Sequence, residues 1–185
     1  AYGTIAVASD DPANIVWMPG FNRSGFYTRD KGRTWRQVVL PGTKGPDGGS
    51  FPLHTIQRKT LAADRAAPAT FYFYHGGEEP NGHLHGLWTT RDGGATWRKS
   101  HEGPIAPHDG QAAKLRAVPG HSGHLCFTAG VRGPDTALKR STDGGRNWSS
   151  LPGVQNVDDV AFGRGARSDA YPAIYVSGTV DGRYG

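Results

Sequence analysis

Sulfur is scarce in this chain: among 185 residues there is one cysteine, Cys126, and one methionine. A lone thiol excludes an internal disulfide, and its place in the apolar run Leu125-Cys126-Phe127 reads as a small buried side chain. Long apolar runs are missing as well. Nothing approaches the ~20 residues that a membrane-spanning helix needs, so no membrane partner is expected. The 21 Lys and Arg exceed the 16 Asp and Glu for a net charge of +5, yet they are spread through turns and strand ends without a basic block. With neither a clustered basic face nor a nucleic-acid motif, no nucleic-acid partner is expected. No secretory leader is visible, and a start at Ala1 without Met reads as the product of excision or processing.

What the chain has in quantity is turn chemistry. With Gly 28, Pro 13, 36% hydrophobic residues and no sustained helical period, the composition favours an all-β protein rich in turns. Three segments repeat one pattern, [S/T]-x-D-x-G-x-[T/N]-W: Thr28 to Trp35, Thr90 to Trp97 and Ser141 to Trp148. Each follows an apolar or aromatic run, as a tight turn between two strands would. The Asp can accept hydrogen bonds from its own turn, the Gly supplies positive φ, and the Trp anchors in the core. This pattern is similar to the Asp-box, or bacterial neuraminidase repeat, of β-propeller blades. Asp30, Gly32, Trp35, Asp92, Gly94, Trp97, Asp143, Gly145 and Trp148 are therefore assigned structural roles, not catalytic ones.

Four antiparallel strands per repeat of this kind make a propeller blade. One blade is expected over residues 3–40, a second over 54–100 with an insertion at 75–85, and a third over 113–151. Two further strands over 157–181 begin a fourth blade, giving fourteen strands, or about three and a half blades of a larger, seven-bladed propeller.

The order of motifs resembles the second propeller of glycoside hydrolase family 74, the xyloglucanases. The resemblance rests on Gly3-Thr4-Ile5-Ala6-Val7, Ile15-Val16-Trp17-Met18-Pro19, Leu61 to Arg65 followed by Pro68 and Phe71-Tyr72, Leu115 to Gly120, and Ala170 to Val180. It implies two facing seven-bladed propellers with a β-1,4-glucan in the cleft between them. It also implies an inverting pair of Asp carboxylates, one acid and one base. In that family both lie upstream of the part that resembles Ala1, so no catalytic residue is expected in this chain, and the chain reads as an internal fragment of a secreted or periplasmic enzyme. The expected partners are the polysaccharide, the rest of the propeller and the facing propeller; no cofactor or metal is implied. A non-catalytic carbohydrate- or protein-binding propeller, or a sialidase-like one, remains open as an alternative.

Other candidates are weaker. Asp158-Asp159 are neighbours expected to point to opposite faces of a strand, whereas a glycosidase needs carboxylates facing each other across a substrate. His83 and His85, or His121 and His124, lack a third metal ligand. A sialidase site would have to be assembled from Arg23, Arg65, Arg116 and Tyr171. For stacking on sugar rings, Trp17 and Trp88 are the tryptophans outside the box position.

Overall fold

Short runs of β-branched and aromatic residues, punctuated by Gly, Pro and Asp turns, leave this chain little choice but to pair locally. In the computed structural model, which describes residues 3–19, 24–43, 59–77, 82–107, 110 and 112–185, fifteen strands form four antiparallel sheets. The first sheet orders β1 (Thr4–Val7), β2 (Ile15–Met18), β3 (Phe26–Thr28) and β4 (Arg36–Gln37). The second holds β5 (Leu61–Ala63), β6 (Phe71–His75), β7 (Gly86–Thr90) and β8 (Arg98–Glu102). The third holds β9 (Lys114–Ala117), β10 (Leu125–Thr128), β11 (Lys139–Ser141) and β12 (Ser149–Ser150). In the fourth, β13 (Val154–Gly163) pairs with β14 (Ala173–Val180), which pairs with β15 (Arg183–Tyr184). There is no α-helix among the described residues, only a 3-10 turn at Gly82–Leu84.

The sheets stack face to face in chain order. Side-chain alternation sends Val16, Met18 and Tyr27 of the first sheet against Phe71, Phe73 and Trp97 of the second. Tyr72, Tyr74 and Leu87, on the opposite side of that second sheet, meet Leu115, Leu125 and Phe127 of the third. Val118, Cys126 and Leu138 then meet Val154, Val157 and Val160. The first strands lie side by side, β1 by β5, β5 by β9 and β9 by β13, and a parallel bridge from Lys59 to Lys114 ties two of them. Radial sheets joined at their innermost strands are a β-propeller.

Several expectations are corrected. The box tryptophans do not open the fourth strands; β4, β8 and β12 each begin one residue later. The indole N–H of Trp97 donates to Gly94 O at 2.9 Å and that of Trp148 to Gly145 O at 3.0 Å, which folds each ring over its own turn. The last sheet holds three strands, not two, because Asp181 and Gly182, both at positive φ, turn the chain into β15. Its first strand starts at Val154 and carries a bulge between Gln155 and Asp159. The expected strand from His54 begins at Leu61 as β5; residues 54–58, like 44–51 of the expected loop and 78–81 of the insertion, lie outside the described residues.

Candidate functional site

The three box turns share one hydrogen-bond scheme, which accounts for every fixed position of the pattern. In the third, Ser141 Oγ donates to Asp143 Oδ1 at 2.8 Å and accepts from Gly145 N–H at 2.9 Å. Asp143 Oδ1 accepts from the N–H groups of Arg146 and Asn147, and Oδ2 accepts from the Asn147 amide at 2.7 Å. Thr28, Asp30, Gly32 and Thr34 repeat this in the first turn, and Thr90, Asp92, Gly94 and Thr96 in the second. The carboxylates are spent on their own turns.

Those bonds favour the ionised form. The Thr34 hydroxyl and N–H, with the Thr28 hydroxyl, bring Asp30 down to about 2. At Asp143 desolvation opposes the shift, but bonds from Asn147, Ser141 and Arg146 together still bring it to about 2. Asp92 is lowered likewise against desolvation, chiefly by Thr96. Because these folded-state values lie below the unfolded value of 3.8, their stabilisation is complete above about pH 4.5 and is lost as pH falls through 3.8 towards 2. Acid titration of the melting temperature should show that fall. The Asp143→Ala variant, about 1–3 kcal/mol less stable at neutral pH, should show a shallower one; an identical slope would refute the assignment.

The turn glycines also fit against neighbouring sheets. Gly94 has φ +104°, and a Cβ there would sit 2.8 Å from Tyr27 Cβ of the first sheet; one at Gly145, φ +80°, would collide with Leu87 of the second. Trp97 is accordingly sealed at 4% exposure, while Trp35, with no described sheet on its side, is 40% exposed.

Sequence reasoning missed the polar groups that join the β1–β2, β5–β6 and β9–β10 turns to the next sheet. Asn14 Nδ2 donates to Thr28 O in its own sheet and to Gly93 O in the next, at 3.0 and 2.9 Å. Asp64, 1% exposed, accepts from Ala66 and Ala67 N–H through Oδ1, and from Tyr72 O–H and Gly123 N–H through Oδ2. Burial and that bond push the Tyr72 phenol far above its ordinary range, so it stays a donor. A common spacing could have found these turns: Ala8 N–H bonds to Asn14 O, Asp64 to Thr70 and Val118 to His124, six residues on each time.

Of the proposed sugar platforms, Trp88 is ruled out. It is 3% exposed within the core between the first two sheets, and its indole N–H donates to Leu84 O at 2.8 Å. Trp17 is half-buried on the outer face of the first sheet, in the cross-strand row with Ile5 and Phe26 and edge-on to Trp35 at 6.2 Å.

Asp158 and Asp159 do diverge. Asp158 accepts from Tyr184 O–H at 2.6 Å and pairs with Arg132, whereas Asp159 pairs with Lys114 at 3.2 Å and Arg116 at 3.4 Å. Against partial desolvation, the Val160 N–H, Lys114 and Arg116 keep Asp159 below the usual carboxylate range. Among the described residues, the four carboxyl groups with displaced values, Asp30, Asp92, Asp143 and Asp159, are thus displaced downward, the wrong direction for a general acid. His85 bonds Tyr74 O–H and is not paired with His83, and no group of three metal-ligating side chains occurs among the described residues. The sialidase set is divided among other partners, Arg116 with Asp159 and Tyr171 with His124, while Arg23 lies outside the described residues.

No family model matches the chain. It is 29% identical to a xyloglucanase of Paenibacillus sp over 184 residues, 99% of this chain and 15% of that protein. To xyloglucanase Xgh74A of Acetivibrio thermocellus it is 30% identical over 179 residues, 97% of this chain and 18% of the relative. The chain thus spans less than a fifth of the length of these relatives. Among solved structures, the GH74 enzyme of Niastella koreensis superposes on 100% of this chain with a TM-score of 0.52 at 20% identity, using 29% of its own chain.

Proposed function

We propose, from the premise that this chain is of xyloglucanase-type, glycoside-hydrolase-like origin along nearly its whole length, that it is a non-catalytic segment of the second propeller of a secreted or periplasmic enzyme that hydrolyses xyloglucan. Identity of 29–30% across 97–99% of the chain carries this reading. In it, residues 3–40, 54–100 and 113–151 are three blades and the strands after them start a fourth. The remainder of the propeller and a second propeller complete the substrate cleft.

Inverting hydrolysis needs one carboxylic acid to protonate the leaving oxygen and a carboxylate to activate water on the opposite face of the sugar. The carboxylates described above are held by turn N–H groups or by cations, which supports placing acid and base elsewhere in the protein. The expected result is that the 185-residue chain releases no reducing ends from xyloglucan, while the full-length protein releases oligosaccharides of inverted anomeric configuration, read by proton NMR. Hydrolysis by the short chain would overturn the placement of the carboxylates. A full-length protein that binds xyloglucan without cleaving it would replace the enzyme by a binding propeller.

A further inference from the structure

The junction between the third and fourth sheets differs from the two before it. Where Asn14 and Asp64 make their joints with an amide and a carboxylate, the corresponding turn after β9 presents His121 and His124. Their imidazoles stack with centroids 5.1 Å apart. Both lie against Tyr171, at 4.5 and 5.7 Å, on the segment that leads into β14. The Tyr171 hydroxyl lies within hydrogen-bond distance of His124 Nδ1, at 3.1 Å, and the Arg140 side chain of β11 acts on the same phenol. The Arg140 guanidinium also lies 4.7 Å from the centroid of the Tyr171 ring.

We propose that His121, His124, Tyr171 and Arg140 form an acid-sensitive latch that holds the fourth sheet to the third at neutral pH and releases it when the His124 imidazole is protonated. Protonation puts a positive charge on the His124 ring, which is stacked on His121 at 5.1 Å and shares one phenol ring with the fixed charge of Arg140, so like charges crowd the joint.

Among the described residues, no free anion stands ready to compensate. Asp64 is the carboxylate that faces His124 from the second sheet, and both its oxygens are already committed to Ala66, Ala67, Tyr72 and Gly123. Asp143, in the box turn beside Gly123, is held by its own turn. Across the cleft that His121 lines stand Arg164, Arg167 and Asp169, and Asp169 pairs with Arg167 at 3.4 Å. Cys126, beside the cluster on β10, is a thiol pushed up to about 11 by burial and is neutral throughout. Desolvation, then His121 and Arg140, hold His124 below its ordinary 6.5 against the pull of Asp64. The sign follows: the folded state prefers neutral imidazole, so the joint is intact above about pH 7 and weakens as pH falls through 6.5.

The test is amide hydrogen exchange of β14 measured relative to β2, a ratio that cancels the intrinsic pH dependence of exchange; neither residues 3–40 nor 154–185 contain histidine. Between pH 7.5 and 5.5 the protection of β14 relative to β2 should fall about tenfold for each unit by which His124 is depressed. In the His121→Asn/His124→Asn double variant the ratio should stay flat. Histidine NMR of the unaltered protein gives a second reading: His124 should titrate below 6.5, and removing the neighbouring cation in Arg140→Gln should move it upward. A flat ratio in the unaltered protein, an undiminished fall in the double variant, or titration of His124 at or above 6.5 would each overturn the latch.

Discussion

Replacing Gly145 by alanine should destabilise the protein by about 2–5 kcal/mol, combining left-handed backbone strain with overpacking of a filled core. At φ +80° a side chain is disfavoured, and the added methyl group would meet Leu87, which is fully buried and has nowhere open to retreat. The control lies next door: Gly144 has φ +76° but nothing within 4 Å of its absent Cβ. Gly144→Ala should therefore cost only the backbone term, about 1–2 kcal/mol. Urea unfolding of the two variants separates the contributions. Equal costs would mean that the third turn does not press on the second sheet.

Asp64→Ala should be at least as damaging, at about 3–5 kcal/mol, because three backbone N–H groups and the Tyr72 hydroxyl lose a buried acceptor together. Tyr72→Phe removes only one of those donors and should cost about 1 kcal/mol. The bond from Gly123 N–H is the one that crosses to the third sheet, so the alanine variant should also loosen that joint. If thermal unfolding finds the two variants alike, the backbone donors have found water and the bridge contributes little.

The box turns were legible because each fixed position is required by chemistry: hydroxyl, carboxylate, positive φ, then a second polar side chain. The joints at Asn14, Asp64 and His124 were not, since different side chains do related work from either end of equivalent turns and a single-residue pattern cannot register that. Trp88 was misread for a different reason. Gly86-Leu87-Trp88-Thr89-Thr90 gives no alternation, and a strand covered on both faces needs none, so nothing in it distinguishes an exposed ring from a sealed one. The strand at Arg183–Tyr184 is too short for any β signature, although the Asp-Gly pair before it is a hairpin signal that the reading of a chain end obscured. Trp17 lies on the second strand of its sheet, but whether its ring faces a neighbouring sheet or a ligand depends on packing partners that sequence does not display.

Within every sheet, hydrogen-bonded neighbours follow chain order, and each sheet packs against the one that precedes it. The conformational cost of closing the loops between paired strands is therefore small, and the longer-range contacts join each sheet to its neighbour in chain order. A lone sheet of such short strands is marginal, but the second, third and fourth each meet a partner already synthesised when they leave the ribosome, so assembly can keep pace with translation, one docking step at a time.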